Sequence, residues 1–285
     1  MYADDTRLYA IIKPSEHDVG LQRLQQCIAD IKTWSLHNKL KFNDSKTEIL
    51  HIYSKFRRAT ESLPGLLMGD GVSIDSVQSS RDLGVTLDSN LTMADHIRIK
   101  CRAAAIGIAK IGKLRKFLTD SATERLVHAF VSSHIDYCNS LLFGLPDSHI
   151  LPLQRIQNSA ARLISRTRKF DRITPVLRSL HWLPVSQRIV FKVLLLAYKA
   201  KHGQAPSYIT DLLSIQNPSS TRLRSSTNAH LRFSPGPRTR TSYGDRAFCV
   251  AAPKLWNQLP IELQDSPSPD SFKCSLKYFL FNTPM

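Results

Sequence analysis

Met1-Tyr2-Ala3-Asp4-Asp5-Thr6-Arg7-Leu8-Tyr9-Ala10-Ile11-Ile12 decides the fold. A short apolar strand runs into an Asp4-Asp5 turn, and a second strand, Arg7–Ile12, returns from it. Tyr2–Ile12 therefore reads as a hairpin. Ser15 and Asp18 then stand at capping-box spacing. Behind them Val19, Leu21, Leu24, Ile28, Ile31 and Trp34 recur at helical spacing, which predicts a helix to about His37. Lys46–Tyr53 reads as a returning strand, Gly69-Asp70-Gly71 as a hairpin turn, and Arg81–Leu87 as a further strand. Hairpins around a helix predict an α+β architecture for this part of the chain.

From Thr92 onward the pattern becomes helical. Thr92 and Asp95 cap a helix reaching about Phe117. Ser121 and Glu124 form a capping box for the next, which ends near Gly144. A third is expected from about Ser148 to Ser165. A fourth runs from Ser186 to about His202, stopped by Gly203. Residues 214–245 are rich in Ser, Thr, Arg and Pro and read as a long loop. Two shorter helices close the chain, about Asp245–Gln258 and Pro269–Phe281, with Pro269 at the first helical position.

The charge is uneven. The 285 residues hold 39 Lys and Arg against 23 Asp and Glu, a formal net charge of +16. Residues 1–150 carry 19 basic and 17 acidic side chains, a net of +2, whereas residues 151–285 carry 20 and 6, a net of +14. Such a basic half points to a polyanionic partner, RNA, DNA or an anionic surface, with nucleic acid favoured. The five cysteines, Cys27, Cys101, Cys138, Cys249 and Cys274, form no CxxC pair. A zinc ribbon is not expected, and an intracellular location, nuclear or cytoplasmic, fits best. The longest apolar runs, Val193–Tyr198 and Ala247–Ala252, are too short to span a bilayer, so no membrane partner is expected.

Two adjacent carboxylates in a strand turn could form part of a two-metal cage for nucleotidyl transfer. By itself an Asp pair is common in turns. Its context is more specific. Met1-Tyr2-Ala3-Asp4-Asp5 resembles the YADD box of reverse transcriptases, particularly those of LINE-like (non-LTR, jockey-like) retrotransposons. Leu40–Glu48 resembles the LxxNxxKTE stretch that follows it, and Leu83-Gly84-Val85 is similar to the later primer-grip strand. Tyr137–Pro146, Leu153–Arg162, Leu180–Val185, Gly244–Phe248 and Ala252–Pro260 resemble downstream blocks, in the family's order.

The resemblance implies an RNA-directed DNA polymerase using Mg2+, with primer–template RNA and DNA as partners. Asp4 and Asp5 would be catalytic metal ligands, and Tyr2 would lie near the primer–template. Lys46 would donate a proton to the departing pyrophosphate, while Leu83 and Gly84 would shape the primer grip. It also implies a division into a partial palm (1–90), thumb-like helices (91–145), a helical region (146–213), a basic loop (214–245) and C-terminal helices (246–285). The family's other essential aspartate belongs upstream of YADD. The chain is accordingly expected to be a truncated, inactive fragment of such an enzyme. The alternative is a non-catalytic, sequence-independent RNA- or DNA-binding module, or a relic.

Three basic clusters are candidate nucleic-acid contacts without any family. On the helix from Thr92, Arg98, Arg102, Lys110, Lys113 and Lys116 fall on an arc of roughly 120°, opposite Ile97, Cys101, Ala104, Ile108 and Ile111. No acid interrupts residues 96–119. The second cluster is Arg155, Arg162, Arg166, Arg168 and Lys169. The third is Arg222, Arg224, Arg232, Arg238 and Arg240, with Phe233 and Tyr243 close by to stack on bases. His181 and Trp182 are expected in the core.

Overall fold

The computed structural model describes residues 6–53, 65–67, 71, 73–215 and 233–283. The described chain is mainly helical with three two-stranded sheets, and it divides into two units, Met1–Asp95 and His96–Met285. No helix among the described residues is long and apolar enough to cross a membrane.

In the first unit, residues 6–13 pair with no strand, so the expected strand Arg7–Ile12 does not form. Tyr9 and Ile11 are 93% and 98% exposed. A strand is held by its neighbour's ladder, and here Arg7 instead bonds the Asp82 carboxylate at 2.6 Å. The chain then enters helix α1 (His17–His37) through a 3₁₀ turn at Pro14–Glu16, which makes Glu16 the N-cap in place of Ser15. The end of α1 falls where the periodicity placed it. Lys39 adopts φ 58°, and the Leu40 and Lys39 amides return to the carbonyls of Ser35 and Leu36, the two bonds of a Schellman motif.

The strands are short. Strand β1 (Ile49–Leu50) pairs in parallel with β4 (Ser76–Val77), and β2 (Leu66–Leu67) pairs antiparallel with β3 (Ser73–Ile74). The expected Lys46–Tyr53 strand therefore shrinks to two residues. A 3₁₀ turn occupies Asp44–Lys46. Arg81–Leu87 is not one strand but most of a hairpin: β5 (Ser79–Asp82) and β6 (Val85–Asp88) flank Leu83-Gly84. Both turn residues have positive φ, 44° and 81°, as a type I′ loop demands. Leu21, Leu24 and Ile28 of α1 pack with Phe42, Ile49, Leu66 and Ile74 in a small core.

The second unit is helical. It contains most of α2 (Ala94–Leu114), followed by a 3₁₀ turn at Arg115–Phe117. Helix α3 (Asp120–Val127) is capped by Thr119, whose Oγ1 accepts the Ala122 amide at 3.2 Å, rather than by Ser121. It passes through a π segment, His128–Ser132, into α4 (Ser133–Asp136). Val127, Val131 and Ile135 keep one face of this rod buried. Helix α5 spans Asp147–Ser165, the short α6 Thr174–Ser179, and α7 Val185–Lys201. Gly203, at φ 65°, ends α7 as expected. The remaining helices are α8 (Ser207–Thr210), α9 (Ser242–Asp245), α10 (Phe248–Trp256), α11 (Ile261–Gln264) and α12 (Pro269–Asn282). Two of these, α9 and α10, replace the single helix expected over Asp245–Gln258.

The larger core lies among α7, α10 and α12, with Val193, Leu194, Ala197, Trp256, Phe272 and Leu276 buried. Tyr198 stacks on Phe272 at 4.4 Å between centroids, and its hydroxyl donates to the Ser266 carbonyl at 2.9 Å. That bond satisfies the one polar atom the ring carries into the core. Buried Gln157 of α5 donates to the Leu183 carbonyl, and Gln154 accepts the first amide of α7, from Val185, so these two glutamines tie α5 to the start of α7.

Candidate nucleic-acid interface

The start of α2 is set by Asp88 at the end of β6. Its carboxylate accepts the amides of Asn90, Thr92 and Met93 and the Thr92 hydroxyl. Leu91 and Met93 take positive φ there, at 47° and 60°. Thr92 Oγ1 then accepts the Ala94 amide at 3.3 Å, but α2 begins at Ala94, so Thr92 stands one residue ahead of the N-cap position expected of it.

Along α2 the two faces separate as the spacing predicts. Arg98, Arg102, Lys110, Lys113 and Lys116 are all exposed. Ile97, Ala104 and Ile111 are buried, and Cys101 and Ile108 are partly so. The buried face also takes in His96 and Gly107. Burial pushes the His96 imidazole below its ordinary value of 6.5, and nearby Lys100 pushes the same way. Burial raises the Cys101 thiol.

Arg115 was not among the expected site residues, and it is the best-bonded cation of this region. It is 8% exposed. Its Nε donates to the Leu163 carbonyl at 2.8 Å, one Nη to the Leu118 carbonyl and the other to the Ile164 carbonyl. It also pairs with Asp120. The guanidinium thereby satisfies carbonyls in the last turn of α5, where a cation also suits the helix dipole. A signal was present in the sequence. Arg115 lies eighteen residues after Ile97, five full turns, and so on the apolar face of α2.

The second cluster surrounds the C-terminus of α5. Arg155 is exposed on the helix. Arg166 follows Ser165 in the left-handed region at φ 55°, exposed, with Arg168 and Lys169 exposed beyond it. Arg162 is partly buried and folds back. Its guanidinium donates to the carbonyls of Arg168 and Asp171 at 3.3 and 3.2 Å. It braces the turn that presents its neighbours.

In the third cluster Arg238 and Arg240 are exposed, while Arg222, Arg224 and Arg232 lie outside the described residues. Phe233 does not stand ready for bases. It is 2% exposed and meets Trp256 edge-on at 5.6 Å, and Asn257 bonds both its amide and its carbonyl. Trp256 and Asn257 recapture the chain there, a long-range packing that local composition does not encode. Trp182 is in the core as expected, but His181 is not. His181 is exposed at φ 54°, the left-handed residue that ends α6.

Tyr2, Asp4 and Asp5 lie outside the described residues. Lys46 ends its 3₁₀ turn exposed, beside a 2.6 Å ion pair between Lys32 and Asp44. Leu83, 49% exposed, and Gly84 form the tip of the β5–β6 hairpin rather than a strand interior. Among the described residues there is no group of three or more His, Cys, Asp or Glu side chains that could hold a metal ion, and the expected ligands Asp4 and Asp5 lie outside those residues. No protein-family model matches the chain, and neither a curated protein nor a solved structure matches it.

Proposed function

We propose that this chain is part of a LINE-like reverse transcriptase, spanning the end of its palm, its thumb and a helical C-terminal region. Its own residues supply a sequence-independent grip on the nucleic-acid backbone. The ordered run of motif-like blocks supports the family reading. The observation that carries the binding reading is the segregation of α2 into a buried apolar face and five exposed cations, Arg98, Arg102, Lys110, Lys113 and Lys116. Cations on one face of a helix meet phosphates without reading bases. Their binding releases condensed counterions, so affinity falls with salt in proportion to the phosphates neutralised.

A salt titration tests this. The wild-type chain should bind RNA and duplex DNA weakly and with no sequence preference, with about −0.9 in log–log slope for each phosphate contact on duplex DNA. Replacing Arg98, Arg102, Lys113 and Lys116 together with glutamine should flatten that slope. Replacing Asp4 and Asp5 with asparagine should leave affinity unchanged or slightly raised, because carboxylates without a metal repel phosphate. An unchanged slope in the fourfold variant would rule out α2 as the contact surface.

A further inference from the structure

We propose that the junction of α2 with the end of α5 is a binding site for single-stranded nucleic acid, in which Phe117 and Phe170 stack on unpaired bases. This rests on the nucleic-acid-binding reading above and adds the form of the ligand. Two Lys-Phe pairs occur there with the same local arrangement. In Lys116-Phe117 the ammonium lies 4.8 Å from the centroid of the ring that follows it, and in Lys169-Phe170 it lies 5.7 Å away. The rings are 75% and 93% exposed.

A single exposed phenylalanine is ordinary. Here two lie within six residues in sequence of one set of hydrogen bonds that ties the end of α2 to the end of α5. Arg115, two residues before Phe117, donates to the carbonyls of Leu163 and Ile164. One turn earlier, a Cβ on Gly112 would sit 4.0 Å from the Leu163 side chain, so α2 passes close to that residue here. Past Ile164, α5 ends at Ser165, and the chain then makes the Arg168–Asp171 turn that contains Phe170. That turn is braced from behind by the guanidinium of Arg162 on the Arg168 and Asp171 carbonyls, and the Arg168 amide donates to the Asp171 carboxylate at 3.1 Å. The acids of this junction are thus engaged, Asp120 by Arg115 and Asp171 by the backbone, while Lys113, Lys116, Arg166 and Lys169 face solvent.

Exposed apolar rings with exposed cations beside them fit a ligand with both exposed π-faces and phosphates. In a duplex the bases are already stacked on each other and offer side chains only their edges. A single strand offers the faces. The charge complementarity of the patch selects a polyanion, and the rings select its unpaired form.

The test uses the full chain and a fluorescent oligothymidylate of about 15 nucleotides, near the upper site size of single-strand binders. A duplex of equal length and anionic phosphatidylserine vesicles serve as competitors. Phe117→Ala and Phe170→Ala should each weaken single-strand binding roughly fivefold or more, with the salt slope unchanged, because neither ring carries charge. Phe170→Tyr, which keeps an aromatic face, should bind as the wild type does. Lys116→Gln with Lys169→Gln should instead reduce the slope by about 0.7 for each lysine. Both rings are exposed, so the unfolding midpoints of the variants should match the wild type and certify folding. Unchanged affinity in both alanine variants overturns the proposal, as does tighter binding to the duplex. Vesicles that displace the oligonucleotide at lower concentration than the duplex overturn it in favour of a lipid surface. Loss of all salt-dependent binding to single strand and duplex alike overturns the underlying reading too. Binding that persists but ignores the rings overturns this inference alone.

Discussion

Replacing Arg115 with methionine should destabilise the protein by about 3 kcal/mol. Three carbonyls, one buried and two partly buried, lose a charged donor together, and a hydrogen bond to a charged group contributes roughly 1.5–3 kcal/mol, of which the partly exposed carbonyls recover much by bonding water. Lysine should rescue little, because one ammonium does not reproduce the planar fork that reaches Leu118, Leu163 and Ile164 at once. Asp120, with its side chain 72% exposed, should matter far less, under about 1 kcal/mol for Asp120→Asn. Urea unfolding midpoints separate these outcomes. His96 makes a second prediction at this scale. Its folded value lies below 6.5, through burial first and Lys100 second. The unfolded state therefore binds the proton more readily, and stability rises with pH across that window. The contribution is complete above about pH 6.5 and is lost as the pH falls below it. His96→Gln should remove this part of the acid sensitivity, which unfolding midpoints from pH 7.5 down to 5 would show.

Helix α2 carries the next prediction. Glycine inside a helix ordinarily costs about 1 kcal/mol relative to alanine. Gly112→Ala should recover that, since its Cβ would meet nothing nearer than 4.0 Å. Gly107→Ala should do the reverse and destabilise by at least about 1 kcal/mol, because its Cβ would come within 2.7 Å of the Phe130 carbonyl oxygen. Opposite signs for two glycines five residues apart are the outcome to measure. Legibility at this scale followed period and length. The long helices α1, α5, α7 and α12 lie within a residue or two of their expected ends, because many apolar positions vote on each. Glu16 and Thr119 cap α1 and α3 instead of Ser15 and Ser121, because a 3₁₀ turn and the preceding threonine offer competing solutions. The Leu83-Gly84 turn is illegible in the sequence, because leucine at positive φ violates the usual preference. The π segment leaves no mark in apolar spacing at all.

Over the whole molecule, charge was the most legible property and its use the least. The exposed arc of α2 followed from spacing alone. The burial of Arg115 and Phe233 did not, because each depends on partners more than twenty residues away, Leu163 and Ile164 for the one and Asn257 for the other. The 285-residue chain on its own should extend no primer on an RNA template with Mg2+ or Mn2+. On the proposed function, Asp4 and Asp5 are one carboxylate pair, and two-metal transfer needs further ligands to bridge both ions. A primer-extension gel with the wild type and Asp4→Ala checks this, and incorporation that depends on Asp4 would contradict it. The π segment at His128–Ser132 has a consequence for how this chain tolerates change in length. Its wide turn takes up one residue beyond an α-helical count. Deleting a codon there would leave Val127 and Ile135 seven residues apart, about 700° around a straight α-helix and still on the same side. The same deletion in the middle of α5 would swing everything after it by about 100°. Residues 128–132 are thus where the loss of one amino acid should disturb the downstream register least.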